Sequence, residues 1–282
     1  MFDRNRFYLI SLQLSFFLLL CLFTLPRAAF CSDWEESPSE HASANTKTGI
    51  NPGPPAKPSQ SKFYLQGQVQ HSDQLPALED DLQAGASFNP QALQNAKYAS
   101  SWFKIPSWFA GTFESTESRI DFIKDYATGQ VGRPRKVVSS LGRELHGFQK
   151  DQKGDIWHYY VQSGSSRSEQ AGHITINNID WYGPEYVSDS KVLMRIQATS
   201  LVVDKNSGII VDSFRREDLK TYEPMGKGVI KVEYTSKSFD SRGRPRDLQD
   251  GVSIHRLIAA FKPIDRDGEN DYKQMFKDFL NR

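Results

Sequence analysis

From Gly111 onward the chain keeps a period of two, and this limits its fold more than any other feature. Runs of alternating apolar and polar residues fall at 113–123, 136–149, 155–163, 172–182, 191–203, 208–220, 228–239 and 252–262. Alternation sends successive side chains to opposite faces, the pattern of a half-buried strand rather than a helix. The run at 228–239 is the clearest: Ile230, Val232 and Tyr234 form one row, and Lys231, Glu233, Thr235 and Lys237 the other. Val192, Met194, Ile196 and Ala198 make a second apolar row. Gly154, Gly208, Gly228 and Gly243 mark turns between runs.

Successive strands with short links and no crossover helices predict an antiparallel meander. Eight strands can close into a barrel whose interior just fills or holds one small ligand. Closure also removes the edge strands that an exported protein must otherwise protect. The expected fold is therefore mainly β, an eight-stranded antiparallel up-and-down barrel with a helix at each end. Asn89 and Pro90 suit the N-cap and first position of a lead-in helix. Ala92, Leu93, Ala96, Ala99, Trp102 and Phe103 share one face of it, and Pro106 ends it. Tyr272, Met275, Phe276, Phe279 and Leu280 fall at i, i+3, i+4, i+7 and i+8, predicting a C-terminal amphipathic helix packed outside the sheet.

The start of the chain gives an address. Arg4 and Arg6 precede an uncharged apolar run at 7–25, closed by Pro26 and Arg27. Its length falls between the h-region of a signal peptide, about 7–15 residues, and a membrane span of about 20. Ala29 at −3 allows cleavage after Cys31. An uncleaved anchor at 7–25 and a lipoprotein at Cys31 are the other readings, though Phe30 stands where a lipobox needs a small residue. Each keeps the positive flank inside and exports the rest, to a periplasmic, extracellular or lumenal space. Residues 1–31 are thus a signal peptide or signal anchor, which is membrane-associated if uncleaved.

Residues 32–88 read as a disordered spacer and lead-in. The Pro, Ser, Asn and Lys of the spacer cannot bury enough apolar area to offset ordering entropy. Residues 63–70 alternate weakly, as a short strand would, and 75–83 carry a short helical pattern. The barrel with its flanking helices takes 89–282. It contains neither Cys21 nor Cys31, so no disulfide or thiolate site is open to it. A net charge of +1 gives no field that would draw nucleic acid.

A lead-in helix, Trp108-Phe-Ala-Gly-Thr-Phe113 opening an eight-stranded meander, and a terminal helix together resemble the lipocalin or calycin superfamily. The same phrase resembles lipocalin-like proteins of cyanobacteria and plastids. Gly111 and Phe113 would stand where lipocalins carry G-x-W on the first strand, with Phe in place of Trp. The resemblance implies an Arg near the last strand packed across that aromatic at the barrel floor. Arg256 is the match, beside Val252, Ile254, Ile258 and Ala260 on one strand face, and a cation–π contact would serve it there.

No reaction is indicated. There is no G-x-S-x-G elbow, and Ser165 and Ser166 read as part of a polar loop. Among the six histidines no H-x-H or H-E-x-x-H spacing appears, and His146, His158, His173 and His255 read as ordinary strand residues without a metal. The acidic stretches at 204–208 and 265–271 lack the EF-hand pattern and read as a turn and a helix start. The expected function is that of an exported, non-enzymatic, lipocalin-like protein without a cofactor. It would bind an apolar small molecule in the barrel, with Trp157, Tyr159 and Trp181 as liners. The alternative is a structural or assembly factor of the cell envelope, with a side-chain-filled barrel and protein partners.

Overall fold

The computed structural model describes residues 70–93, 101–160, 165–170, 172–268 and 270–281. The expected export segment and spacer, residues 63–69 of the short strand expected at 63–70, and residues 94–100 of the expected lead-in helix lie outside them. The fold is mainly β and antiparallel. Its strands are β1 (Ser101–Ile105), β2 (Gly111–Asp125), β3 (Val131–Gly132), β4 (Lys136–His146), β5 (Gln149–Lys150), β6 (Ile156–Tyr160) and β7 (Ser165–Gln170). They continue as β8 (His173–Val187), β9 (Val192–Asp204), β10 (Ile210–Gly226), β11 (Val229–Asp240), β12 (Pro245–Ala260), β13 (Arg266–Asp267) and β14 (Asn270–Asp271). One helix, α1 (Tyr272–Leu280), follows, and the Asp271 carboxylate caps it by accepting from the Gln274 N–H at 3.0 Å.

The main sheet has the order β3-β2-β12-β11-β10-β9-β8-β7, with β4 also paired to β2. β3 and β4 occupy successive stretches of the same β2 edge, because β12 takes the other. The first long strand meets the last, as in a barrel, but no pairing joins β4 to β7 among the described residues. The closed eight-stranded ring is therefore not found.

Two local departures explain this. Residues 156–160 are apolar or aromatic on both faces and need cover on both, so β6 leaves the main sheet for a three-stranded one, β1-β6-β5. And Ser165 and Ser166, read as part of a polar loop, open the edge strand β7 (Ser165–Gln170), a hairpin partner of β8. The lead-in helix is corrected as well. Asn89 does cap, accepting from the Gln91 N–H at 3.1 Å, but only a 3-10 turn over Pro90–Leu93 follows. Trp102 and Phe103 lie on β1, where alternation sends Trp102 onto Tyr159 and Phe276 and Phe103 onto His158.

The cross-strand register sorts the main sheet into two faces. Met194, Lys220 and Tyr234 stand opposite one another in one row, and Arg195, Leu219 and Thr235 in the next row, on the other face. The first is the inner face. At one end it carries an apolar cluster of Phe109, Phe113, Val192, Met194, Tyr222, Ile230 and Val232, in which Phe113 is fully buried. Gly111 opens the strand to it with φ +134°, and a Cβ there would sit 2.7 Å from the Ala259 carbonyl oxygen, so only glycine fits.

Part of the outer face is covered by residues 70–88, which pack rather than hang free. The Leu75 N–H bonds the Gly243 carbonyl at 3.0 Å, and Leu78 and Leu82 join Ile176, Leu201, Val203 and Ile210 in a second apolar cluster. α1 packs on the small sheet, where Tyr272 and Phe276 meet Trp102, Phe148 and Tyr159.

Candidate functional site

The structure separates the sequence-predicted residues. Trp157 and Tyr159 share one face of β6, the face under α1: Trp157 contacts Phe276 and Phe279, and Tyr159 contacts Tyr272. The Trp157 indole donates to the Asp151 carboxylate at 3.0 Å. Trp181 stands opposite Gln197 on the outer face of the main sheet, so these three residues line no common interior. Gly111 and Phe113 lie where β2 enters the apolar cluster. Arg256 does not cap Phe113. It is exposed, and its neighbour His255 takes the inward place, because Gly251, Ser253 and His255 carry the inner parity of β12.

What the inner face does bring together is a polar group that period and composition did not single out. Glu144 and His146 alternate inward on β4, Lys220 and Tyr222 on β10, and Ser253 and His255 on β12. Glu144 is the hub. Its Oε1 accepts from Lys220 Nζ at 2.7 Å and its Oε2 from the Tyr222 hydroxyl at 3.1 Å. His146 Nε2 lies 3.4 Å from Oε2 and His255 Nδ1 3.8 Å from it. His158 approaches from β6, its ring 5.7 Å from that of His146, and accepts from the Gly147 N–H through Nδ1 at 3.0 Å. Neutral His158 then carries its proton on Nε2. Phe109 stacks on His146 at 3.9 Å, and Tyr182 stands edge-on to His158.

The electrostatics are set by burial. Desolvation works against the Glu144 carboxylate, but the Lys220 charge and the nearby imidazoles outweigh it and hold its pKa well below the usual range. Burial, then the charge of Glu144, pushes the Tyr182 and Tyr222 phenols up, so both stay protonated. Burial lowers His158 well below the imidazole range and His255 to about 4. At neutral pH these two rings are uncharged.

Two further features bear on what the site can do. Both ring nitrogens of His146 and Nδ1 of His255 are buried without a hydrogen-bond partner. Buried polar atoms are almost always satisfied, so such atoms mark a place where water or a ligand completes the network. The charged pair is also less sealed than its surroundings: the Glu144 and Lys220 side chains keep 13% and 17% of their surface, against 3% for His146.

Ser253 Oγ lies 2.9 Å from His255 Nε2, and the order Ser–His–Glu is that of a nucleophile relay. The 3.8 Å gap between His255 and Glu144 is not a hydrogen bond, so the acid does not orient the imidazole as such a relay requires. Among the described residues no group of three or more His, Cys, Asp or Glu side chains is disposed to hold a metal ion.

The sequence did hold a signal for this site. Glu144/His146, Lys220/Tyr222 and Ser253/His255 each place polar atoms two apart on a strand. On β10 and β12 these fall at the parity that faces inward. Read singly they look like ordinary strand residues.

No protein-family model, no curated protein and no solved structure matches this chain.

Proposed function

We propose that this chain is an exported, non-enzymatic binding protein with an interrupted, lipocalin-like barrel. A small and largely apolar molecule is held against the inner face, with its polar end at Glu144 and Lys220. One observation carries this reading: an ion pair that keeps some surface inside an otherwise sealed aromatic wall, beside imidazole nitrogens that lack partners. A purely structural core would close around such a pair, because an incompletely satisfied buried charge costs more than an apolar replacement. The apolar run at 7–25 supports export.

The test is native mass spectrometry of the full chain extracted from its source cells. The expected result is an added small-molecule mass that is lost on denaturation and reduced by Lys220→Met. A protein that is mass-exact and empty in every preparation would overturn the binding reading.

A second reading, an envelope assembly factor acting through protein contacts, draws on a different observation. Farther along the inner face Arg216, Asp218 and Ser236 are sealed and fill the space themselves, while Ile254, Leu257 and Ile258 are exposed on β12. Co-purification of one stoichiometric envelope protein with an empty chain favours it.

A further inference from the structure

The chemistry of the inner-face site restricts the ligand's polar end, an inference that rests on the binding reading above. We propose that the site selects an uncharged, hydrogen-bonding head group, a hydroxyl or carbonyl on an apolar body, and rejects the carboxylate or amine of the same skeleton.

The first argument is charge balance. Lys220 Nζ and Glu144 Oε1 are 2.7 Å apart, and the remaining contacts of Glu144 within the site come from one phenol and two imidazoles. One positive and one negative charge already neutralise each other in a largely desolvated place. A ligand carboxylate or ammonium enters only as an uncompensated third charge, and the cost of desolvating it has no matching partner. Arg216, the next cation along β10, is already committed to Asp218 at 3.0 Å and is sealed.

The second argument is the unfilled hydrogen-bonding capacity. His146 is nine-tenths buried; its Nδ1 makes no hydrogen bond and its Nε2 has only the 3.4 Å approach to Glu144, while Nδ1 of His255 is likewise unpartnered. A neutral imidazole offers one donor and one acceptor. A hydroxyl, which both gives and takes a hydrogen bond, can pair with Nδ1 of either ring whichever tautomer it holds, and a carbonyl only with one that carries the proton. A carboxylate takes only, and it would also stand near Glu144. The stacking of Phe109 on His146 fixes the ring, so the imidazole is a preorganised reader rather than a free side chain.

The experiment compares two pairs of probes that share a skeleton, retinol with retinoic acid and 1-dodecanol with dodecanoic acid. Binding to the full chain is read at pH 8 by quenching of its tryptophan and tyrosine fluorescence. The expected result is at least a tenfold preference for the alcohol in one or both pairs. Glu144→Gln, which leaves Lys220 as a bare cation, shifts the preference toward the acid by at least tenfold. The double variant Glu144→Gln/Lys220→Met, neutral again and free of an unpaired buried charge if the single variant folds poorly, restores the preference for the alcohol. Acids that bind wild type as well as or better than the alcohols overturn the head-group inference while leaving the binding reading standing. A preference for the alcohol that neither variant moves overturns the assignment to this ion pair. Absence of binding by all four probes counts against the binding reading itself.

Discussion

Two buried glutamates on opposite faces of one sheet make the most instructive contrast in the molecule. Glu217, on the outer face, is completely used. His71 Nδ1 lies at 3.0 Å, the Ser72 N–H donates at 2.8 Å and its hydroxyl at 3.0 Å, Gln197 donates at 3.0 Å, and Arg195 lies at 2.6 Å. Lys237 completes the clamp by donating to the Ser72 carbonyl at 2.7 Å. Glu144, on the inner face, has two firm hydrogen bonds and two imidazoles standing off. Each pairs with one cation and stands among neutral hydrogen-bonding side chains, yet one network is closed and the other open. A saturated network ties the lead-in to the sheet and has nothing left to offer. An unsaturated one in the interior keeps capacity for something else.

The contrast is breakable. The largest effect is expected for Glu217→Ala, which removes the acceptor shared by His71, Ser72, Gln197 and Arg195 and unties residues 70–78, at about 3–5 kcal/mol. Urea unfolding measures it, and hydrogen exchange at 70–78 should rise at the same time. If Glu144→Gln proves the more destabilising of the two, the closed and open networks have been assigned the wrong way round. Phe113→Ala should cost a similar 3–5 kcal/mol, because the ring is fully buried at the apolar end of the inner face. Near-wild-type unfolding of that variant would show that this end is not the base on which the inner face is built.

Acid should open the two faces in order. His255 and His158 titrate below their ordinary range in the folded state, so the unfolded chain binds more protons as pH falls. The stability they contribute is full above about 6.5, the ordinary imidazole value, and drains as pH drops toward 4. For His255 alone that is on the order of 3 kcal/mol. For Glu217, burial favours the proton but the hydrogen bonds from His71, Gln197 and Ser72 win, so its carboxylate is held low. Its contribution is present above the ordinary carboxylate value of about 4.3 and is lost only below it. Urea midpoints measured from pH 8 to 3 should therefore fall in two stages, and His255→Gln should flatten the first. A single stage beginning below pH 4.3 would remove the inner histidines from the account. The smallest effect is expected for Arg256→Ala, under about 0.5 kcal/mol, because the side chain is exposed on the outer face; a loss of several kcal/mol would reinstate it as a structural cap.

The strands from β8 to β12 were legible in the sequence because their pattern is local. Alternation in 191–203 and 228–239 with turn glycines between them needs no knowledge of the rest of the chain, and the spacing of Tyr272, Phe276 and Phe279 finds α1 in the same way. Legibility failed where both faces of a strand are apolar. In β6, Trp157 and Tyr159 on one side and His158 and Tyr160 on the other are equally suited to burial, so the sequence could not say which pair meets the interior. It failed for Arg256 for a related reason: the apolar neighbours Ile254 and Ile258 suggested an inward row, but that row is exposed and His255 is the residue that points in.

The sequence by itself determined that this is a mainly β chain of alternating strands with an uncharged apolar run at 7–25, since period two and a charge-free run are properties of neighbouring residues. Only the tertiary structure decided that no pairing among the described residues joins β4 to β7, that residues 70–88 pack on part of the outer face, and that Glu144, Lys220 and three histidines from three strands meet inside. The physical reason is distance along the chain. Residues 144, 220 and 255 come together only through β-strand pairing over scores of residues, and no local pattern records which strands will be partners.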